Sequence, residues 1–117
     1  MSFGTHSFSP DPRNESVLIN INGDLVPRPQ ASVSVFDSGF MLGDGVWEGL
    51  RVHDGRVAFL DRHMDRLYEG AKAIALNIGI GREALEARIY DTLDANAMDG
   101  EGVHIRLMVT RGVRSTP

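Results

Sequence analysis

Val35-Phe36-Asp37-Ser38-Gly39-Phe40-Met41-Leu42-Gly43-Asp44-Gly45-Val46-Trp47-Glu48-Gly49-Leu50-Arg51-Val52 is the stretch on which the fold turns. The alternation of Ser32 to Phe36 breaks at Asp37-Ser38-Gly39, and Gly43, Gly45 and Gly49 leave the backbone free for a close approach. Val46 to Val52 then reads as a strand with two unlike faces. Val46, Glu48, Leu50 and Val52 point one way; Trp47, Gly49 and Arg51 point the other. His53-Asp54-Gly55-Arg56 follows as a tight turn with its glycine late, and Val57 to Leu60 as the returning strand.

Toward the N-terminus, Val17 to Asn22 alternates as a strand, Gly23-Asp24 turns the chain, and Leu25-Val26 returns before Pro27 and Pro29 interrupt pairing. That second arm is expected at an edge. Residues 1–16 carry Pro10, Pro12 and two acids where an apolar signal segment would sit, and read as a disordered tail.

Toward the C-terminus, Asp61 stands where an N-cap belongs, and Met64, Leu67, Tyr68, Ala71, Ile74 and Ala75 recur at helical spacing up to a stop near Asn77 and Gly79. A second helix is expected beyond Gly81, with Leu85, Ile89, Leu93 and Ala97 on its apolar stripe, ending in Asp99-Gly100-Glu101-Gly102. Val103 to Thr110 follows as a last strand. The sum is an α+β domain over residues 17–114, an antiparallel sheet with two helices on one face, and residues 115–117 open a loop.

Composition sets limits on the chemistry. A chain of 117 residues has room for one domain, and no run approaches the roughly eighteen apolar residues of a membrane helix. The net charge of −4, with arginines scattered singly among acids, offers no stripe for nucleic acid. There is no cysteine, which excludes disulfides and a thiol nucleophile, and the cytoplasm is the default expectation. His6, His53 and His63 lack a spacing that would bring two of them onto one metal, so no metal site is expected.

Three places invite a functional reading. On the last strand His104, Arg106, Met108 and Thr110 share a face, and an arginine beside a histidine is either a solvated face or a binder of carboxylate. Trp47, the only tryptophan, is either a core residue or, with Gly49 and Arg51, a pocket wall. Arg66 either pairs with a carboxylate along its own helix or grips a phosphate through its planar fork.

The opening stretch closely resembles the motif of class IV aminotransferases, the branched-chain and D-amino-acid group of fold-type IV. The resemblance continues through Asp54-Gly55, Phe59-Leu60, His63-Met64-Asp65-Arg66-Leu67, His104-Ile105-Arg106 and Val109-Thr110-Arg111-Gly112. It implies the small domain of a fold-type IV enzyme with pyridoxal 5′-phosphate as cofactor, Arg66 on the cofactor phosphate, Trp47, Gly49 and Arg51 lining the substrate pocket, and His104 and Arg106 on the substrate side. Trp47 is bulkier than the phenylalanine or tyrosine usual at its position, which narrows the expected pocket. Leu42 stands where branched-chain members often carry tyrosine.

The resemblance further implies a larger domain that carries the cofactor-bearing lysine, to which nothing in this chain corresponds. No catalytic residue is therefore expected here, and Lys72, the sole lysine, is expected to be an ordinary surface residue. The partners it implies are an amino acid or primary amine, a 2-keto acid, and a homodimer or larger assembly with loop 37–45 in the contact. A companion C-terminal polypeptide would complete a divided enzyme. Two alternatives stay open: an aminodeoxychorismate lyase-like activity on the same small-domain motifs, and an isolated binding or dimerisation domain without catalysis.

Overall fold

The computed structural model describes residues 9–114, so the first half of the expected tail, residues 1–8, and the final loop residues 115–117 lie outside the described residues. The domain is α+β. Its centre is a three-stranded antiparallel sheet in the order β4-β3-β5, made of β3 (Gly45–His53), β4 (Arg56–Val57) and β5 (His104–Thr110). Helices α2 (Leu60–Ala73) and α3 (Arg82–Ala95) contribute to one hydrophobic core with the inner face of this sheet.

The alternation of β3 sorts its residues as the sequence pattern requires. Glu48, Leu50 and Val52 are buried, whereas Trp47, Gly49 and Arg51 are exposed. Against the buried face α2 sets Met64, Leu67 and Ala71, and α3 sets Leu85, Ile89 and Leu93, both at helical spacing. Burial of such side chains is worth roughly 1.5–3 kcal/mol each, which is what holds two 14-residue helices that carry no side-chain cap.

Several local expectations need correction. The described residues form two sheets, because the hairpin β1 (Leu18–Ile21) and β2 (Asp24–Pro27) does not join the central one. It is attached to α3 instead: Asn96 accepts from the Leu18 amide at 2.7 Å and donates to the Leu18 carbonyl at 3.0 Å. A third helix, α1 (Ser38–Leu42), occupies the glycine-rich stretch, capped by the Asp37 carboxylate on the Gly39 amide and ended by Gly43 at φ 67°.

The returning strand is only two residues long and Asp61 is not a cap. Phe59 adopts a left-handed conformation, φ 54°, that turns the chain out of β4 and straight into α2 at Leu60. Asp61 instead lies in the first turn, where its charge favours the helix dipole. Ser32 to Phe36 forms no strand; its large side chains are exposed. Within the expected tail, Pro12–Asn14 forms a 3-10 turn, and Arg13 donates to the Glu101 carbonyl at 2.8 Å.

Candidate functional site

The pairing of β3 with β5 places Gly49 opposite Arg106, Arg51 opposite His104 and Trp47 opposite Met108. All five expected substrate-side residues, Trp47, Gly49, Arg51, His104 and Arg106, therefore lie on one exposed sheet face. Trp47 is 55% exposed, so it is not a core residue. Arg106 stacks on it with the guanidinium carbon 4.7 Å from the ring centroid, and an exposed pair of this kind is worth roughly 0.5–1 kcal/mol. The face thus combines an apolar plate with three basic side chains, a composition suited to an anionic ligand with an apolar portion.

Arg66 approaches β3 from the other side. Glu48, one residue after Trp47, points into the domain, and Arg66 on the second turn of α2 donates to it from Nε at 2.9 Å (Oε2) and from Nη2 at 2.8 Å (Oε1). His63, one turn earlier, places Nδ1 2.6 Å from the same Oε1. Arg66 is in an ion pair, but with a strand residue and not with a carboxylate along its own helix.

The electrostatics of this cluster are lopsided. Glu48 is 3% exposed, while the Arg66 side chain is 73% exposed. The hydrogen bonds from Arg66, opposed by burial and helped by His63, hold the Glu48 carboxyl below the ordinary glutamate range. Glu48 in turn raises the Arg66 guanidinium further above its ordinary value. An ionised carboxylate only accepts, so the proton on the short contact with His63 resides on Nδ1.

The donor set of Arg66 fits a phosphate. Nε and one Nη2 proton face Glu48 along one edge of the guanidinium, which leaves the edge formed by Nη1 and the second Nη2 proton directed away. A planar fork of this kind matches two phosphate oxygens. Lys72 is exposed farther along α2 and makes no such contact.

Loop 37–45 is tied to the end of β5. Ser38 donates through its amide and hydroxyl to the Gly112 carbonyl, at 2.8 and 2.7 Å, and Thr110 donates to Asp37 at 3.0 Å. Arg111 bridges Asp44 and the carbonyls of Ile74 and Ala75, just past the end of α2, and lowers the Asp44 carboxyl through its hydrogen bond. Sequence pattern does not single out Glu48, His63, Asp44 and Arg111 as site-building residues. For Glu48 a signal exists: it is the one charged residue on the otherwise apolar inner face of β3.

Residues 45–116 match the family described as Amino-transferase class IV. Branched-chain-amino-acid aminotransferase-like protein 2 of Arabidopsis thaliana is 46% identical over 107 residues, covering 92% of this chain and 19% of that protein. The D-alanine aminotransferase of Bacillus licheniformis is 34% identical over 91 residues, covering 78% and 31%. Among solved structures, the T.th. branched-chain amino acid aminotransferase complexed with N-(5′-phosphopyridoxyl)-L-glutamate superposes with a TM-score of 0.75 at 27% identity, over 88% of this chain and 35% of that one. The 4-amino-4-deoxychorismate lyase of Pseudomonas aeruginosa gives 0.63 at 37% identity, over 77% and 31%. The chain thus spans about a fifth to a third of the length of the relatives it matches.

Proposed function

The chain belongs to the class IV aminotransferase family, and we propose that it is the N-terminal small domain of a pyridoxal 5′-phosphate-dependent enzyme that moves an amino group between an amino acid, or a primary amine, and a 2-keto acid. The donor class follows the relatives, branched-chain amino acids and D-alanine. The observation that carries the reading is the Arg66 guanidinium, held along one edge by Glu48 and presenting the other outward.

When bound, the cofactor supplies the carbonyl that takes up the amino group and the ring that withdraws electrons from the substrate's α-carbon. Arg66 anchors its phosphate, which keeps the ring from drifting. Trp47 sets the space for the substrate side chain, with Gly49 leaving room beside it, and Arg51, His104 and Arg106 orient the carboxylate. No group of this chain moves a proton in the reaction, and the cofactor-bearing lysine is assigned to protein outside these 117 residues.

The exposed side chains of Phe40, Met41 and Leu42 beside the site support an assembly in which this helix is covered by a second subunit. The test of the whole reading is borohydride reduction of the intact protein followed by mass mapping. A pyridoxyl adduct on a lysine other than Lys72 is expected; an intact protein that takes up no adduct in the presence of cofactor overturns the reading.

Likeness to the Pseudomonas aeruginosa lyase favours a second reading, a lyase built on the same small domain. A lyase turns over without a 2-keto acid acceptor, whereas a transaminase stops after one equivalent, so product formed with acceptor omitted separates them.

A further inference from the structure

We propose that Glu48 is a positioning residue for the phosphate site, fixing Arg66 by one edge of its guanidinium so that the opposite edge is set for a phosphate before any ligand arrives. This rests on the reading of Arg66 given above and adds the residue through which that site is built.

A guanidinium has five N–H donors in a rigid plane. Glu48 takes the edge made by Nε and Nη2, with bonds of 2.8 to 3.1 Å, and this fixes the direction in which the Nη1–Nη2 edge points. An arginine as exposed as this one otherwise samples many rotamers and must be ordered when a ligand binds, which weakens binding. The position of Glu48 makes a purely structural role an expensive one. It sits in β3 on the same face as buried Leu50 and Val52, where an apolar side chain would fill the core without removing a charge from water. His63 adds to the arrangement by holding Oε1 from the previous helical turn, which opposes rotation of the carboxylate away from Arg66.

Two effects of Glu48 on a phosphate oppose each other: its negative charge repels the ligand, and its geometry preorganises the arginine. The proposal requires the second to win, and substitution decides it. In Glu48→Gln one of the two accepting oxygens becomes an NH2 donor, so at most one oxygen remains to accept from Arg66 and the two-point hold on that edge is lost.

The experiment titrates the cofactor-free form of the intact protein with pyridoxamine 5′-phosphate and with pyridoxamine, neither of which bonds covalently to a lysine. Wild type is expected to prefer the phosphorylated ligand strongly; absence of that preference refutes the Arg66 reading itself. With the preference present, Glu48→Gln is expected to weaken pyridoxamine 5′-phosphate roughly tenfold, the scale of a charge-assisted contact, and to leave pyridoxamine within about twofold. Unchanged or tighter binding of the phosphorylated ligand, or equal loss for both ligands, overturns the role of Glu48. Glu48→Asp keeps the buried charge but shortens its reach, and so serves if the glutamine variant does not fold; it is expected to lose part of the phosphate preference, and full retention overturns the proposal.

Discussion

The Arg106 guanidinium lies over the Trp47 ring beside Gly49, the residue that pairs with Arg106 across the two strands. A Cβ on Gly49 would meet Trp47 Cζ3 at 3.5 Å, an ordinary contact. Gly49→Ala is therefore expected to be neutral or to stabilise by up to ~1 kcal/mol, since alanine loses less freedom on folding than glycine. A leucine at this position must displace the indole from Arg106. Urea unfolding and tryptophan emission of the intact protein check both statements, and a strongly destabilised alanine variant would contradict the packing described.

Gly45 behaves differently. A Cβ there would lie 2.5 Å from the Val109 carbonyl oxygen, a backbone atom that cannot swing aside. Gly45→Ala is expected to cost about 1–3 kcal/mol through forced separation of β3 and β5. Gly43 has open space around it but sits at φ 67°, so Gly43→Ala is expected to cost about 1–2 kcal/mol for conformation alone, and Gly43→Asn less. Denaturant midpoints of the three variants give the order.

Acid should weaken the tie between α2 and β3. The Glu48 carboxyl is lower in the folded chain than in the unfolded one, chiefly because Arg66 donates to it. The unfolded chain therefore binds the proton first as pH falls, and the contribution of Glu48, fully present above the ordinary glutamate range, is lost as pH drops through that range toward the folded value. Stability measured against pH is expected to fall on this acid limb more steeply in wild type than in Glu48→Gln. Equal slopes would contradict the shift.

Two side-chain ties join the hairpin to α3, and Asn96 makes the larger one. Asn96 joins the end of α3 to both backbone groups of Leu18, and Asn20 adds a bond to Thr92 at 3.1 Å. Asn96→Ala leaves partly buried backbone groups unpaired and is expected to cost about 1–3 kcal/mol. Amide exchange is expected to rise in β1 and β2 well before it rises in β3.

The two-faced strands are legible because a period of two is a local property: alternation puts Trp47 and Arg51 on one face and Leu50 and Val52 on the other, but leaves open between core and solvent the side on which Trp47 lies. The Arg106 stack on Trp47 needs the register between β3 and β5, which no local pattern encodes. The same holds for Arg66, whose carboxylate partner lies 18 positions earlier and on a strand. Helix α1 is invisible to periodicity because five residues carry too few turns for a signal. The end of β4 differs from expectation because Phe59 takes a left-handed conformation that a bulky side chain rarely adopts. The family resemblance, carried by contiguous motifs, supplies the cofactor and the role of Arg66 that pattern alone leaves open between two readings.

The most direct measurement is the affinity of the intact protein for pyridoxal 5′-phosphate with Arg66 replaced by alanine, read beside the melting temperature of the cofactor-free form. If Arg66 takes the phosphate, affinity falls roughly 10- to 100-fold, the scale of a lost bidentate contact, while the cofactor-free form melts at a similar or lower temperature. Affinity within about twofold of wild type in a folded Arg66→Ala protein would place the phosphate elsewhere and remove the basis of the proposed function.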